Sequence, residues 1–248
     1  MTKTVLITGA STGIGAATAR LAARDGWDVA IGYRNDRAGA DSVKADVEAL
    51  GRKAILLQGD VSDPDQIKRI FAEFDAAFPR LDALVNNAGI VDVAARVDQM
   101  DPDRLRRMFD TNTIGPILCA GQAVRRMSTA HGGAGGVIVN ISSAAARIGS
   151  AGEFVDYAAS KGAIDTFTKG LADEVATEGI RVTAIRPGLI ETPIHGKGGT
   201  PDRAKNMAPK VPMKRVGTAE EVAEGIVWLL SDKASYVTGS ILDISGGR

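Results

Sequence analysis

Thr4-Val5-Leu6-Ile7-Thr8-Gly9-Ala10-Ser11-Thr12-Gly13-Ile14-Gly15 decides the fold. Its first five residues are apolar and β-branched, the pattern of a strand buried on both faces. The run passes straight into a glycine turn. Residues 16–24 then follow helical periodicity, with Asp25-Gly26 as the stop. Strand, glycine turn and helix in that order are the context of a dinucleotide site. The glycines let the backbone approach a pyrophosphate, and the helix N-terminus offers free N–H groups and a favourable dipole. The spacing is Gly-x-x-x-Gly-x-Gly rather than the commoner Gly-x-Gly-x-x-Gly, so a merely structural βα corner is the competing reading of this stretch alone.

Outward from it, strands and helices alternate. Residues 27–33 (WDVAIGY) read as the second strand and end in Tyr33-Arg34-Asn35. An NAD site places an acid at this point to bond the ribose 2′-hydroxyl, whereas an NADP site avoids the acid and offers Arg. With no carboxylate before Asp36 and a guanidinium at Arg34, the stretch points to NADP; the competing reading makes Arg34 a surface charge and gives Asp36 the acid's work. A helix is expected over 36–50, and a third strand over 53–59 followed by Asp60-Val61. Ser62-Asp63-Pro64 starts a helix that runs to about residue 78. A fourth strand over 81–85 runs into Asn86-Asn87-Ala88-Gly89. Residues 101–131 read as a long helical stretch able to bend at Asp110-Thr111-Asn112-Thr113, whose residues are indifferent helix formers. Residues 131–136 form a glycine-rich loop into a fifth strand over 137–141, followed by Ser142-Ser143. A loop of small residues spans 144–156. A helix runs from there to about residue 178, a sixth strand over 181–186 ends at Pro187-Gly188, and a seventh strand spans 240–244. The alternation predicts an α/β fold, a parallel sheet with helices on both faces. No repeat, low-complexity tract or boundary divides residues 1–248, so a single domain is expected.

Residues 189–217 lack periodicity and are rich in Gly and Pro, which suggests a substrate lid. They hold six basic residues (Lys197, Arg203, Lys205, Lys210, Lys214, Arg215) against Glu191 and Asp202. That excess either attracts an anionic substrate or simply solvates the loop. Thr218 and Glu221 then fit a capping box at the start of a last helix to about residue 230.

Composition bounds the partners. Thirty basic and thirty acidic residues cancel in a chain of 248, 44% hydrophobic and 24% charged. No global field calls for nucleic acid or an anionic membrane. No apolar run reaches a bilayer-spanning length, and the N-terminus lacks a secretory pattern. The single Cys119 excludes an internal disulfide framework and sits where a buried, inert thiol is expected. His131 and His195 read as loop histidines and no metal site is expected. The protein is expected in the cytoplasm.

Tyr157-Ala158-Ala159-Ser160-Lys161 carries the chemistry. Residues four apart share a helix face, so Tyr157 and Lys161 stand side by side. A phenol is a poor acid at neutral pH, and a nearby ammonium is expected to lower its pKa and make it a proton donor and acceptor. Tyr-x-x-x-Lys is also common on solvated helix faces, so its weight comes from its neighbours.

Taken together, Thr8-Gly9-x-x-x-Gly13-Ile14-Gly15, Asp60-Val61, Asn86-Asn87-Ala88-Gly89, Asn112, Ser142-Ser143, Tyr157-x-x-x-Lys161, Pro187-Gly188-x-x-x-Thr192 and Gly246-Gly247 resemble the short-chain dehydrogenase/reductase family over the whole chain. The resemblance implies a Rossmann-type, doubly wound, seven-stranded parallel sheet of order 3-2-1-4-5-6-7. It implies an NADP-dependent oxidoreductase that moves a hydride between nicotinamide and a carbonyl or secondary alcohol, with NADP(H) preferred and NAD(H) possible. In that reading Gly9, Ser11, Thr12, Gly13, Ile14 and Gly15 line the pyrophosphate turn. Arg34, with Asn35 beside it, pairs with the 2′-phosphate. Asp60 and Val61 hold adenine, and Asn87, Ala88 and Gly89 the adenine ribose side. Tyr157 is the general acid in reduction, Lys161 lowers its pKa and bonds the nicotinamide ribose, Ser143 donates to the substrate oxygen, and Asn112 holds a relay water. Pro187 and Gly188 lead to Ile190 and Thr192, which grip the carboxamide. A homotetramer is implied, built through the two long helices and through the last helix with its strand.

Two features depart from the family pattern. Thr12 stands where NADP-preferring members often carry Arg or Lys, which leaves selectivity to Arg34. The interval from Ser143 to Tyr157 is one residue longer than usual, which predicts an extra bulge near Gly152-Glu153-Phe154 and resembles a bacterial subgroup of sugar-dehydrogenase-like members. A 3-oxoacyl-acyl-carrier-protein reductase shares every motif. A non-catalytic NADP sensor is the reading from another class, although such sensors tend to lose the Tyr or Lys.

Overall fold

The computed structural model describes residues 2–193 and 206–248. The expected lid over 189–217 is therefore described only at its two ends, and His195, Lys197, Asp202, Arg203 and Lys205 lie outside the described residues.

Seven parallel strands form one sheet: β1 (Thr4–Ile7), β2 (Asp28–Tyr33), β3 (Ala54–Gln58), β4 (Ala83–Asn86), β5 (Gly136–Ile141), β6 (Ile180–Pro187) and β7 (Ile241–Ile244), in the order β3-β2-β1-β4-β5-β6-β7. Register runs Val5 to Val29 and Ala83, Val85 to Val139, and Val139 to Thr183. Successive strand residues point to opposite faces, so the inner strands feed two cores. Val5, Ile7, Val29, Ile31 and Val85 meet α1 (Gly13–Arg24), α2 (Arg37–Ala49) and the last helix, α8 (Ala219–Leu230). Leu6, Ala30, Leu84 and Ile138 meet α3 (Pro64–Ala77), α5 (Gly115–Met127) and α7 (Val155–Val175). The near-continuous apolar strands follow from this double burial. Cys119 lies in the second core, where burial pushes its thiol up to about 12.

The long stretch from residue 101 is two helices joined through a π-turn. Asp101 caps α4 (Pro102–Phe109), and residues 110–114 form a π-helical segment that runs into α5. The cause is in the sequence: Pro116 has no N–H to offer the Asn112 carbonyl, so the α-helical ladder fails there. The Gly115 N–H bonds the Asp110 carbonyl five residues back. The segment expected as a loop of small residues departs from that expectation. Ala145–Ile148 forms a short helix, α6, because its alanines favour helix once the chain turns. It is stopped by Gly149, and Ser150 and Gly152 also take positive φ before α7 begins.

Thr218 and Glu221 form the capping box on α8, and Arg215 adds a two-pronged bond to Glu221 at 2.8 and 2.6 Å. Arg215 is thus a local partner of Glu221, whose carboxyl it holds down to about 2. The two ends of the 189–217 segment are joined by a bridge between Ile190 and Gly217. Among the described residues no helix is long and apolar enough to cross a membrane.

Candidate active site

The C-terminal ends of the strands open into a cleft of about 320 Å³. In an open parallel sheet this is where ligands bind, beside the point at which strand order reverses, here between β1 and β4. The cleft is walled by the turn after β1, the ends of β2 and β4, Ser142 and Ser143 after β5, Tyr157 and Lys161 on α7, and Gly188, Ile190 and Thr192 after β6. The sequence-selected residues Gly9, Ser11, Thr12, Gly13, Ile14, Arg34, Asn35, Asp60, Val61, Asn87, Ala88, Gly89 and Pro187 also face it. Gly15 and Asn112 stand behind this wall rather than on it.

The glycine turn is held by β4. Gly9 has φ 63°, and a Cβ there would stand 2.9 Å from the Ala88 Cα. Asn87 Nδ2 donates to the Thr8 and Gly9 carbonyls at 2.8 and 2.9 Å, and Thr8 Oγ1 accepts from the Asn87 and Ala88 N–H groups at 3.0 Å each. Sequence reasoning missed this work of Thr8, because nothing in local spacing shows which strand lies beside β1. The turn thus presents bare backbone at the start of α1, which fits a pyrophosphate.

At the end of β2, Arg34 Nη1 donates to Asp60 Oδ2 at 3.1 Å. Burial pushes the Asp60 carboxyl up, but bonds from Ser62 and Arg34 outweigh it and hold the group below its ordinary value. Arg34 is half exposed and faces the cleft, while Asp36 accepts from the Gly39 N–H as the cap of α2.

The chemical end of the cleft is built on α7. Lys161 Nζ donates to the Ile141 carbonyl at 2.8 Å. Burial drives its pKa down to about 8, against an opposing pull from Asp165. Tyr157 departs from expectation. Its pKa is raised, not lowered: burial dominates, and a hydrogen bond with Ser143 only partly counters it. Lys161 Nζ stands 5.8 Å from the Tyr157 ring centroid and is directed at the Ile141 carbonyl. Of the two serines, Ser143 meets Tyr157, whereas Ser142 is buried and donates to the Lys161 carbonyl at 3.2 Å.

Asn112 is fully buried, and its amide is consumed locally. Nδ2 donates to the Ile90 carbonyl at 2.9 Å and Oδ1 accepts from the Ile90 N–H at 2.8 Å. Its Oδ1 and Lys161 Nζ lie 3.3 and 3.4 Å from where a Cβ on Gly89 would stand, so a side chain there would press on both. A second cavity of about 330 Å³ adjoins the first and shares Ser143, Tyr157 and Gly188 with it. Val91, Ala145, Ile148, Phe154 and Leu189 supply the apolar part of its wall, and Ser143, Ser150, Glu153, Tyr157 and Arg248 a polar part of similar extent. No sequence signal marked Arg248. Among the described residues no cluster of His, Cys, Asp or Glu could hold a metal ion.

Comparison with known proteins agrees with this fold. The family model described as "Enoyl-(Acyl carrier protein) reductase" matches residues 9–248. The chain is 51% identical over 243 residues to the uncharacterized oxidoreductase YgfF of Escherichia coli (strain K12), covering 98% of each. It is 39% identical over 246 residues to cis-4-hydroxycyclohexanecarboxylate dehydrogenase of Sinomonas cyclohexanicum, covering 99% of this chain and 96% of that one. Among solved structures, a short-chain dehydrogenase from Burkholderia cenocepacia J2315 in complex with NADP superposes with a TM-score of 0.90 at 33% identity, covering 99% and 97% of the two chains. The chain is an oxidoreductase and belongs to the short-chain dehydrogenase/reductase family.

Proposed function

We propose that this protein is an NADP-dependent oxidoreductase that interconverts a carbonyl compound and a secondary alcohol, with Tyr157 as the proton carrier. One observation carries the reading: Ser143 and Tyr157 both stand on the wall shared by the two cavities. A cofactor in the cleft beside the glycine turn and a substrate in the adjoining second cavity would meet at these hydroxyls.

The glycine turn and the bare backbone at the start of α1 fit a dinucleotide pyrophosphate, Arg34 offers the 2′-phosphate a planar guanidinium, and Asp60 and Val61 stand beside it for adenine. When bound, NADPH supplies the hydride for the carbonyl carbon. The protein supplies the rest. Ser143 donates to the substrate oxygen, Tyr157 delivers the proton to it, and the buried Lys161 ammonium restores that proton. The Asn112 side chain is spent on Ile90, so the group left to hold a relay water is the Asn112 carbonyl, which Pro116 denies an α-helical donor. Ile190 and Thr192 border the nicotinamide end, and the 189–217 segment, bridged at its base, is read as the lid. NAD(H) remains a usable second cofactor because selectivity falls on Arg34 alone. The working form is read as a homotetramer in the cytoplasm.

The second cavity mixes apolar side chains with Ser150, Glu153 and Arg248, which suits a small ring carbonyl compound that carries a polar group, in keeping with the alicyclic hydroxy acid dehydrogenase among the relatives. A second reading, reduction of a 3-oxoacyl carrier-protein thioester, is favoured by a 3-oxoacyl-acyl-carrier-protein reductase of Staphylococcus aureus that is 34% identical over 250 residues. NADPH and NADH oxidation over cyclic ketones, aldehydes, sugars and a 3-oxoacyl thioester separates these readings. The account expects turnover with NADPH and cyclic ketones. Turnover with the thioester alone would favour the second reading, and tight NADPH binding with no turnover would contradict both.

A further inference from the structure

A charge pair that solvent barely reaches joins α4 to the first turn of α7. Arg104 Nε donates to Asp156 Oδ2 at 2.7 Å and Nη2 to Oδ1 at 3.3 Å, with the side chains 8% and 1% exposed. The third nitrogen, Nη1, donates to the Val93 carbonyl at 2.7 Å. One guanidinium thus grips two segments that meet at the second cavity. Asp156 directly precedes Tyr157. Val93 stands two residues beyond Val91, which lines that cavity. The same segments are linked again where the Ala95 N–H donates to the Glu153 carbonyl at 2.9 Å. Arg107, also on α4, donates to Asp92 at 3.1 Å.

Stability alone does not account for such a pair, because the desolvation of two charges offsets most of their attraction. Its geometry does give a specific function. A guanidinium is flat, and its donors point in fixed directions. Holding Asp156 on one edge and Val93 on another ties the separation of the two segments to one rigid group.

We propose that Arg104 is a positioning residue for the reaction: it fixes the 91–95 loop relative to Tyr157, and so the width of the cavity in which the carbonyl group meets the phenol. This rests on Tyr157 being the proton carrier.

Two variants test it on the full-length protein. Arg104→Met with Asp156→Leu replaces the pair by apolar side chains of similar bulk and removes the bond to Val93, without stranding a buried charge. Arg104→Lys keeps a cation beside Asp156 but lacks the fork. Misplacement by about 1 Å at a reacting centre costs on the order of 100-fold. In the double variant kcat/KM for the best carbonyl substrate is therefore expected to fall about 10- to 100-fold, through both a higher KM and a lower kcat. NADPH affinity and Tm should stay near the parent's. Arg104→Lys should shift the same constants in the same direction by less. A merely structural role would instead lower Tm and NADPH affinity together with activity. Parent-like kcat and KM in a folded double variant would overturn the proposal; if that variant does not fold, parent-like kinetics in Arg104→Lys would overturn it. Turnover retained by Tyr157→Phe would overturn the underlying reading as well, whereas an inactive Tyr157→Phe beside parent-like Arg104 variants would overturn the positioning role alone.

Discussion

At Lys161, burial and a neighbouring carboxylate pull in opposite directions, and burial wins, leaving the ammonium with a pKa of about 8. Tyr157, raised by its own burial, keeps its proton throughout the neutral range. In the proposed reduction the protonated forms of both groups are the working ones, so activity is expected to fall as pH rises. The first to deprotonate is Lys161. The reductive kcat/KM is expected to be level below neutrality and to decline above about pH 8, and a profile still level at a pH well above 8 would contradict that role. Arg34 allows a second prediction, decided by magnitudes. Its exposed bond to Asp60 is worth about 0–1 kcal/mol, while a charge-assisted bond to a phosphate is worth about 1.5–3 kcal/mol. The 2′-phosphate is therefore expected to displace Asp60. Arg34→Ala is expected to weaken NADPH about 10- to 100-fold in a calorimetric titration, by that same energy, and NADH far less. An equal loss for both would remove Arg34 from the 2′-phosphate.

Among the elements, the glycine turn after β1 is the most exacting. Alanine at position 9 would carry the cost of a left-handed backbone, about 1 kcal/mol, and would crowd the Ala88 Cα. Gly9→Ala is expected to keep the folded state, with a modest loss of Tm, and to weaken NADPH by about tenfold or more because the turn shifts where phosphate must sit. This element was legible in the sequence because its signal is local: an apolar run, three glycines and a helix start. The bend at Asn112 was legible for the same reason, and Pro116 explains its register. What escaped was non-local. The Arg104–Asp156 bond spans 52 residues of sequence, and no periodicity marks it. The direction of the Tyr157 shift escaped because spacing shows that Lys161 is near but not how dry the site is or where its ammonium points. The short helix α6 escaped because small residues suit loop and helix alike.

On the scale of the whole molecule, alternation of strands and helices disclosed the layers. The strand order came only from resemblance to a family, since no local signal says whether β4 returns beside β1. Large apolar side chains are exposed at several places on the described surface, and two groups of them lie on neighbouring elements. Leu105, Ile114, Ile117 and Leu118 are exposed along α4 and α5, and Trp228 and Leu242 are exposed on α8 and β7. Exposed apolar groups gathered on two faces fit a particle with two kinds of contact. Trp228→Glu is expected to convert tetramers into dimers without loss of fold, as measured by light scattering after size exclusion. A wild type that runs as a monomer would contradict the tetramer.

The most direct test of the central claim is Tyr157→Phe, which removes one oxygen and leaves the ring to pack. NADPH affinity should stay close to the parent's, while steady-state NADPH oxidation with the best carbonyl substrate should fall by at least about 100-fold, the scale of general acid catalysis. A variant that binds NADPH and turns over at the parent rate would show that the proton comes from elsewhere.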